Sequence, residues 1–296
     1  MQGAKFMNNG FQKVASIESY LKQLPRLNEK MSSNIFYRGQ SNVSYKVTPS
    51  VLRDNMQNKE HEIYNEIMTE CAHEFDGCKL HNEILSKMQH YGVPTRLLDV
   101  TANPLVSLYF ACDGSPDVDG VVYVIKKEKS RIKQYDSDVV SILSSLPRFN
   151  FDEKEEILRL AQGTESNTND KKIKKFNSVN IIKRLLHEIK KEKPAFENII
   201  NPEHLLENFF FMPRKANVRI IRQSGAFIIF GLQDKAIEIN EMCSNEHLNN
   251  NDSYKIIINK DDKKNIIDQL SCFGISKATL HPELYKVAEY IKDKYK

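Results

Sequence analysis

The sequence QHYGVPTRLLDVTANPLVSLYFA, residues 89–111, contains more polar and turn-forming residues than its apolar frame needs for packing. Gly92 and Pro94 predict that a helix ends here in a sharp connection, because the residue before a proline favours extended backbone. Asn103 and Pro104 predict that a second helix begins soon afterwards, since asparagine is a preferred N-cap and proline is tolerated in the first helical turn. A connection of this kind is a common place for a binding site.

Five side chains in this segment could take part in chemistry, namely His90, Tyr91, Thr95, Arg96 and Asp99. A histidine exchanges a proton near neutral pH, and a tyrosine ring can stack on a heteroaromatic ligand. His90 could equally be a hydrogen-bonded core residue at a helix end. Arg96 and Asp99 are predicted to be partly buried, so each must pair with an opposite charge or serve a site.

A second candidate lies upstream, where Ile35, Phe36 and Tyr37 predict a buried strand that ends at Arg38 and Gly39. An arginine in this position can bind a phosphate with two charge-assisted hydrogen bonds, each worth about 1.5–3 kcal/mol. It could instead form an internal salt bridge, for instance to the carboxylate in LLD of the first segment. The missing side chain of Gly39 would let a ligand approach the backbone.

Elsewhere, short apolar runs predict strands and longer periodic runs predict helices. The predicted strands are 35–37, 120–126, 218–222, 226–230 and 254–258, with a tight hairpin or bulge at 223–225. The predicted helices are 17–24, 60–75, 81–90, 103–112, about 261–272 and 282–295. Because strands and helices do not alternate regularly, the pattern favours an α+β fold over a doubly wound fold.

The chain is predicted to form one domain over residues 1–296, because no Pro/Gly/Ser-rich linker and no fixed-period repeat divides it. A mainly helical insertion is expected at about 137–211. Within it, the polar sequence TESNTNDKKIKK, residues 164–175, predicts a mobile loop.

The net charge of +4 is small beside 43 basic and 39 acidic residues, so it does not by itself indicate a nucleic-acid or membrane partner. Lysines cluster at 126–129, 171–175 and 190–193, mostly among acidic residues and on helical patterns, as in a solvated surface. No apolar run of membrane-spanning length or secretory leader is apparent, and the five cysteines have no paired spacing. These features predict a cytoplasmic location.

A metal site is not predicted, although Cys71, His73, Cys78 and His81 fall close together. Seven residues on one helix separate the two cysteines by ~10 Å, which is too far to share an ion unless the helix breaks. The chain also has no HExxH, GxxxxGKS or GxSxG sequence, so zinc proteolysis, P-loop hydrolysis and α/β-hydrolase chemistry lose their usual support.

Several motifs together resemble the FRG-domain family, which is known for its Phe/Tyr-Arg-Gly motif. They are FYRGQ at 36–40, PSVLR at 49–53, the segment at 89–111, RIIRQSGAFIIF at 219–230 and GISKATLHPELYKVAEYI at 274–291. Val100 stands where the family often has tryptophan, and His281 where it often has phenylalanine. The family name does not by itself supply a function.

A fainter resemblance is to the ADP-ribosyltransferase superfamily, and it implies a short-stranded mixed or antiparallel sheet core with inserted and flanking helices. The resemblance implies that Arg38 anchors NAD, that Thr95 or Thr101 supports the nicotinamide ribose, and that Gln223 occupies the place of a catalytic glutamate. A glutamine lacks the charge that stabilises an oxocarbenium-like centre. Either Asp99, or a glutamate such as Glu203 or Glu207, supplies this charge, or the site binds a nucleotide without strong transferase activity.

The working hypothesis is an NAD-handling enzyme, an ADP-ribosyltransferase or NAD glycohydrolase, that cleaves the nicotinamide–ribose bond in bacterial or phage defence. The expected catalytic residues are Gln223, Asp99 and His90. The expected NAD-binding residues are Arg38, Gly39, Tyr91, Thr95, Arg96 and Thr101. The expected partners are NAD and a macromolecular acceptor of ADP-ribose, without a membrane. The alternatives are a non-catalytic nucleotide sensor and a nucleic-acid-acting protein, the latter suggested by the lysine clusters and by Arg219 and Arg222.

Overall fold

The sheet of this protein is mainly antiparallel. The computed structural model describes residues 13–24, 33–165, 170–232 and 253–295. In this part of the chain the strands are β1 (Ser33–Gln40), β2 (Leu97–Thr101), β3 (Gly120–Glu128), β4 (Ile132–Gln134), β5 (Phe209–Met212), β6 (Gly225–Ile229) and β7 (Ser253–Ile258). They form one sheet in the order β4-β5-β6-β2-β1-β3-β7, in which only the β4–β5 pair is parallel. The predicted α+β class with a mixed sheet is confirmed.

Helices before, between and after the strands make up most of the remaining structure. In the described ranges they are α1 (Ile17–Leu21), α2 (Glu60–Glu70), α3 (Ala72–Phe75), α4 (His81–His90), α5 (Pro104–Cys112), α6 (Asp138–Ser144), α7 (Phe151–Glu165), α8 (Asp170–Asn177), α9 (Asn180–Glu192), α10 (Glu203–Leu206), α11 (Val218–Arg222), α12 (Lys263–Cys272), α13 (Lys277–Leu280) and α14 (Leu284–Lys294). Asn103 caps α5 as predicted, because its side chain accepts a hydrogen bond from the backbone N–H of Leu105 at 2.9 Å.

Two groups of helices cover one face of the sheet. Alternate residues of a strand face opposite sides, so the strand residues that contact the helices show which face is covered. Helices α4, α6, α7 and α9 pack over β2, β5 and β6 around residues such as Leu97 and Ile229. Helices α1, α5 and α12 pack over β1, β3 and β7 around Tyr37 and Val122. Phe36 belongs to a third apolar cluster, on the opposite face. Most of the candidate site lies on the helix-covered face, between the two groups. Arg38, two residues after Phe36 and paired with Tyr123, belongs to the opposite face and meets the site at its floor.

The prediction of a strand at 218–222 is wrong, because this segment forms helix α11. The side chain of Asn217 caps the helix by accepting a hydrogen bond from the backbone N–H of Arg219 at 2.8 Å. Ser224 then adopts a left-handed conformation, with φ of 47°, before β6 begins. The β-branched residues that suggested a strand are thus overridden by a local cap, and the turn at 223–225 joins a helix to a strand.

The prediction of a mobile loop at 164–175 is wrong for the described residues of that range. Helix α7 continues to Glu165 and α8 begins at Asp170, while residues 166–169 lie outside the described part of the chain. The sequence is polar because α8 exposes its lysines and buries Phe176 on its inner side. The helical insertion itself ends earlier than expected, since 209–212 is strand β5.

Gly39 is needed for packing between β1 and α5, which differs from the predicted role of admitting a ligand. A Cβ atom at this position would lie 1.8 Å from the carbonyl oxygen of Ser107 and 2.8 Å from the backbone nitrogen of Ala111. The space where a side chain would stand is therefore filled by the backbone of α5.

We expect Gly39→Ala to lower the free energy of unfolding by about 1–3 kcal/mol, because the helix must move away from the strand. The measurement is urea denaturation followed by circular dichroism. Gly77→Ala is the matched control, since a Cβ at Gly77 has no neighbour within 4 Å. Equal denaturation midpoints for Gly39→Ala and the wild type would contradict this account of the glycine.

Among the described residues, no helix has both the length and the apolar character needed to cross a membrane.

Candidate functional site

A cavity of about 240 Å³ lies between α4, α5 and α11, over strands β1, β2 and β6. Of the nine residues predicted to form the site, six line this cavity: Arg38, Gly39, His90, Asp99, Thr101 and Gln223. The other three do not line it: Tyr91, Thr95 and Arg96. Further walls are formed by Arg219 and by the aromatic residues Tyr37, Phe110 and Phe227. The cavity thus combines cationic, anionic and aromatic side chains within a small volume.

The floor of the cavity is a weakly paired place in the sheet. Strands β2 and β6 pair along all of β2, from Leu97 to Thr101. Strands β1 and β2, in contrast, are registered only at Tyr37 and Thr101. Next to this single pair, Nη1 of Arg38 donates a hydrogen bond to the backbone carbonyl of Asp99 at 2.6 Å. An arginine side chain therefore connects the two strands where their backbones no longer pair.

Few groups of the protein compensate the positive charge of the Arg38 guanidinium. Its contact with Asp99 is to the backbone, and among the described residues no carboxylate lies within ion-pair distance of it. Its Nε atom is buried without a hydrogen-bond partner. Burial lowers the pKa of Arg38 to about 10, although the nearby Asp99 charge acts in the opposite direction. The internal salt bridge to Asp99 considered from the sequence is absent, and the Nε donor has no partner among the described residues.

Asp99 presents its carboxylate to the cavity and is held there by two polar residues. Nε2 of Gln89 donates to Oδ2 of Asp99 at 2.7 Å, and Oε1 of Gln89 accepts from Oγ1 of Thr95 at 2.7 Å. Thr95 is only 1% exposed and lies behind the cavity wall, and its contact with NAD remains a prediction. Gln89 was not among the predicted site residues, although it is the first residue of the segment that suggested the site.

Thr101 and Gln223 join three elements at the edge of the cavity. Oγ1 of Thr101 donates to the backbone carbonyl of Gln223 at 2.5 Å, which ties the end of β2 to the end of α11. Nε2 of Gln223 donates to the carbonyl of Leu280 at 3.0 Å, at the end of α13. Both residues line the cavity, and their hydrogen bonds also fix the positions of the elements around it.

Arg96 is buried and does not line the cavity, and its role in binding NAD remains a prediction. Its Nε donates to Oε1 of Glu60 at 2.9 Å, its Nη2 contacts the other carboxylate oxygen, and its Nη1 donates to the carbonyl of Phe230 at 2.9 Å. Lys154 adds a second cation, 2.8 Å from Oε2 of Glu60. This cluster joins α2, α7 and the residue before β2. Each of its charges is buried and therefore requires a partner of opposite charge.

His90 lines the cavity and has an acidic neighbour that the sequence did not indicate. Its Nε2 lies 3.0 Å from Oε1 of Glu283, the residue that precedes α14. Burial lowers the pKa of His90, Arg219 and Lys87 lower it further, and Glu283 opposes them. Glu283 was missed because it follows His90 by 193 positions in the sequence, and only the motif HPEL marked its region.

Tyr91 does not line the cavity, and its stacking on nicotinamide remains a prediction. The residue is 57% exposed, and its ring packs edge-on against the ring of His90 with centroids 4.8 Å apart. The residue follows α4, where the chain turns at Gly92 with φ of 83°. Tyr37, Phe110 and Phe227 are aromatic residues that do line the cavity.

The two arginines that suggested a nucleic-acid surface both bind backbone carbonyls of the protein. Nη1 of Arg219 donates to the carbonyl of His90 at 3.2 Å, and Nη1 of Arg222 donates to the carbonyl of Thr279 at 3.2 Å. They belong to a helix, so the basic strand expected from the sequence does not exist. Arg219 also lines the cavity, where it adds a second positive charge to that of Arg38.

No group of three or more potential ligands close enough to hold a metal ion occurs in the described residues. Of the cluster considered from the sequence, His81 uses its ring Nε2 to contact the carbonyl of Glu188 at 3.1 Å. Cys71 and Cys78 are free thiols.

The family model of the FRG domain matches residues 33–119, from β1 to the residue before β3. The resemblance read from the motifs is thereby confirmed over this range, which contains Arg38, His90 and Asp99, whereas Gln223 and Glu283 lie outside it. No curated protein and no solved structure matches the chain.

Proposed function

We propose that this chain, which carries an FRG domain over residues 33–119, is an NAD-handling enzyme that cleaves the nicotinamide–ribose bond and transfers ADP-ribose to an acceptor or to water. The observation that carries the proposal is the convergence of Arg38, His90, Asp99 and Gln223 on one cavity. These residues come from three separate regions of the sequence, and a purely structural role for each would not require a shared cavity.

Asp99 supports the chemical step. Cleavage of the bond between the ribose C1′ and the nicotinamide nitrogen develops positive charge on the ribose, and a fixed carboxylate stabilises that charge. Asp99 is the one carboxylate among the described residues that line the cavity. Its hydrogen bond from Gln89 fixes its position before the substrate binds. It thus supplies the charge that Gln223 lacks.

The size and charge of the cavity favour the reacting half of a dinucleotide. A volume of about 240 Å³ lies just below the usual range of small-molecule pockets, so it suits nicotinamide and its ribose better than the whole of NAD. Arg38 in the floor and Arg219 in the wall supply positive charge for the pyrophosphate. Phe110 and Phe227 offer apolar aromatic surface for the nicotinamide ring.

We expect Arg38→Ala to weaken NAD binding by about 10- to 100-fold, because one charged donor pair is lost. The measurement is isothermal titration with NAD, together with an assay of free nicotinamide. Arg38→Lys retains the charge without the planar fork and should bind with intermediate affinity. Arg131→Ala, which changes an exposed arginine, is the control.

Unchanged affinity and unchanged nicotinamide release in Arg38→Ala would remove this residue from the site. NAD binding by the wild type without any release would favour the non-catalytic nucleotide sensor. Binding to DNA or RNA that weakens steeply with salt would favour the nucleic-acid alternative.

A further inference from the structure

We propose that His90 and Glu283 form an acid–base pair, in which His90 takes the proton of a hydroxyl nucleophile and Glu283 stabilises the imidazolium that results. This inference rests on the proposed function and adds to it the class of acceptor, which is water or an alcohol.

The carboxylate of Glu283 is buried without a hydrogen-bond donor. Both of its oxygens are buried, and neither accepts a hydrogen bond from a described residue. A buried carboxylate without such partners is costly, and a positive charge that forms beside it relieves this cost. The ring of His90 lies beside it, with Nε2 3.0 Å from Oε1 and without the alignment of a hydrogen bond. A protonated ring at this distance is placed to pair with the carboxylate.

Charges of both signs surround the ring of His90. Arg219 from α11 and Lys87 from the same helix both disfavour a charged ring, and Glu283 is the carboxylate that favours it. His281 lies near Arg219 and Glu283 as well, and burial also lowers its pKa. The pKa of His90 is thus lowered overall, and Glu283 is the group that favours the protonated ring. A neutral ring near this balance is suited to accept a proton during catalysis.

The pair lies at the wall of the cavity. His90 lines the cavity that Asp99 also lines, whereas Glu283 stands behind the ring. If Nε2 carries the hydrogen toward Glu283, Nδ1 is left as the acceptor. This order of nucleophile, histidine and carboxylate is the general arrangement by which proteins activate a hydroxyl group.

The oxygen of the hydroxyl nucleophile bonds to C1′ of the ribose, and the C1′–nitrogen bond breaks. The electron pair of that bond remains on the pyridine nitrogen, so nicotinamide leaves as a neutral molecule. The hydroxyl proton passes to His90 and then to solvent. A hydroxyl nucleophile needs such a base, whereas an ionised carboxylate acceptor does not.

The test is the pH dependence of nicotinamide release by the full chain, with NAD and water as the reactants. In Glu283→Gln the rate at the plateau should fall about tenfold, and the ascending limb should move to lower pH, because Glu283 raises the pKa of His90. In His90→Gln the rate should fall about 100-fold or more and the limb should disappear. Glu289→Gln, which changes an exposed carboxylate of α14, should behave like the wild type.

A second measurement separates this inference from the proposed function. NMR titration of the histidine rings, with His90 assigned by its absence in His90→Gln, should show a lower pKa for His90 in Glu283→Gln than in the wild type. If the wild type cleaves NAD but Glu283→Gln keeps its rate and pH profile, the inference is overturned and the proposed function stands. If the wild type does not cleave NAD, the proposed function fails. An unchanged His90 titration would then also overturn the pairing itself.

Discussion

Replacing Asp99 by asparagine is expected to reduce nicotinamide release from NAD by about 1,000-fold, while NAD binding changes by less than about threefold. The two side chains have the same shape, so the cavity is retained. The substitution removes only the negative charge that would face the developing charge on the ribose. Gln89 and Arg38 contact Asp99 through its Oδ2 and its backbone carbonyl, and both contacts can persist in the variant.

The matched control is Asp117→Asn, since this aspartate is exposed outside the cavity. The measurement is steady-state release of nicotinamide, with NAD affinity determined separately for each variant. A combined loss of binding and release would assign Asp99 to binding the substrate. Release at the wild-type rate in Asp99→Asn would exclude Asp99 as the catalytic carboxylate.

Replacing Glu60 by alanine is expected to lower the free energy of unfolding by about 3–5 kcal/mol, the largest stability effect that we predict. Glu60 is bound by Arg96 and Lys154, and all three residues are buried. Removal of the carboxylate leaves two cations together in the interior without an anion. Denaturant unfolding measures the change, and Glu66→Ala, on the exposed side of the same helix, is the control.

The same cluster predicts a dependence of stability on pH. Burial opposes ionisation of Glu60, but Arg96 and Lys154 outweigh it and hold the pKa at about 2, below the ordinary value of 4.5. Because the folded pKa is lowered, this stabilisation is complete above about pH 4.5 and is lost as the pH falls toward 2. The difference in unfolding free energy between the wild type and Glu60→Ala should therefore shrink over that range. A difference that stays constant down to pH 2 would contradict the ion pairing.

Local sequence signals predicted much of the fold. Asn103 and Pro104 placed the start of α5 because the cap is satisfied within three residues. Strands β1, β3 and β7 were found because each is a β-branched or aromatic run with a clear boundary. The sequence LLDVT of β2 was missed because an aspartate and a threonine interrupt its apolar residues. Both polar residues line the cavity, so the cavity and not the packing of the strand accounts for them.

The candidate site was only partly predictable, because sequence proximity does not determine the direction of a side chain. Tyr91 and Arg96 lie in the same segment as Asp99, yet one faces solvent and the other faces the buried Glu60. Glu283 reaches His90 only through the path of the whole chain. The resemblance to known families could supply Arg38, whereas contacts across such distances in sequence required the structure.

The most direct test of the central claim is the formation of free nicotinamide when the purified full chain is incubated with NAD. The account predicts release that continues with time, falls about 1,000-fold in Asp99→Asn and is unchanged in Asp117→Asn. NAD that binds in the cavity but remains intact in the presence of the wild-type protein would contradict it.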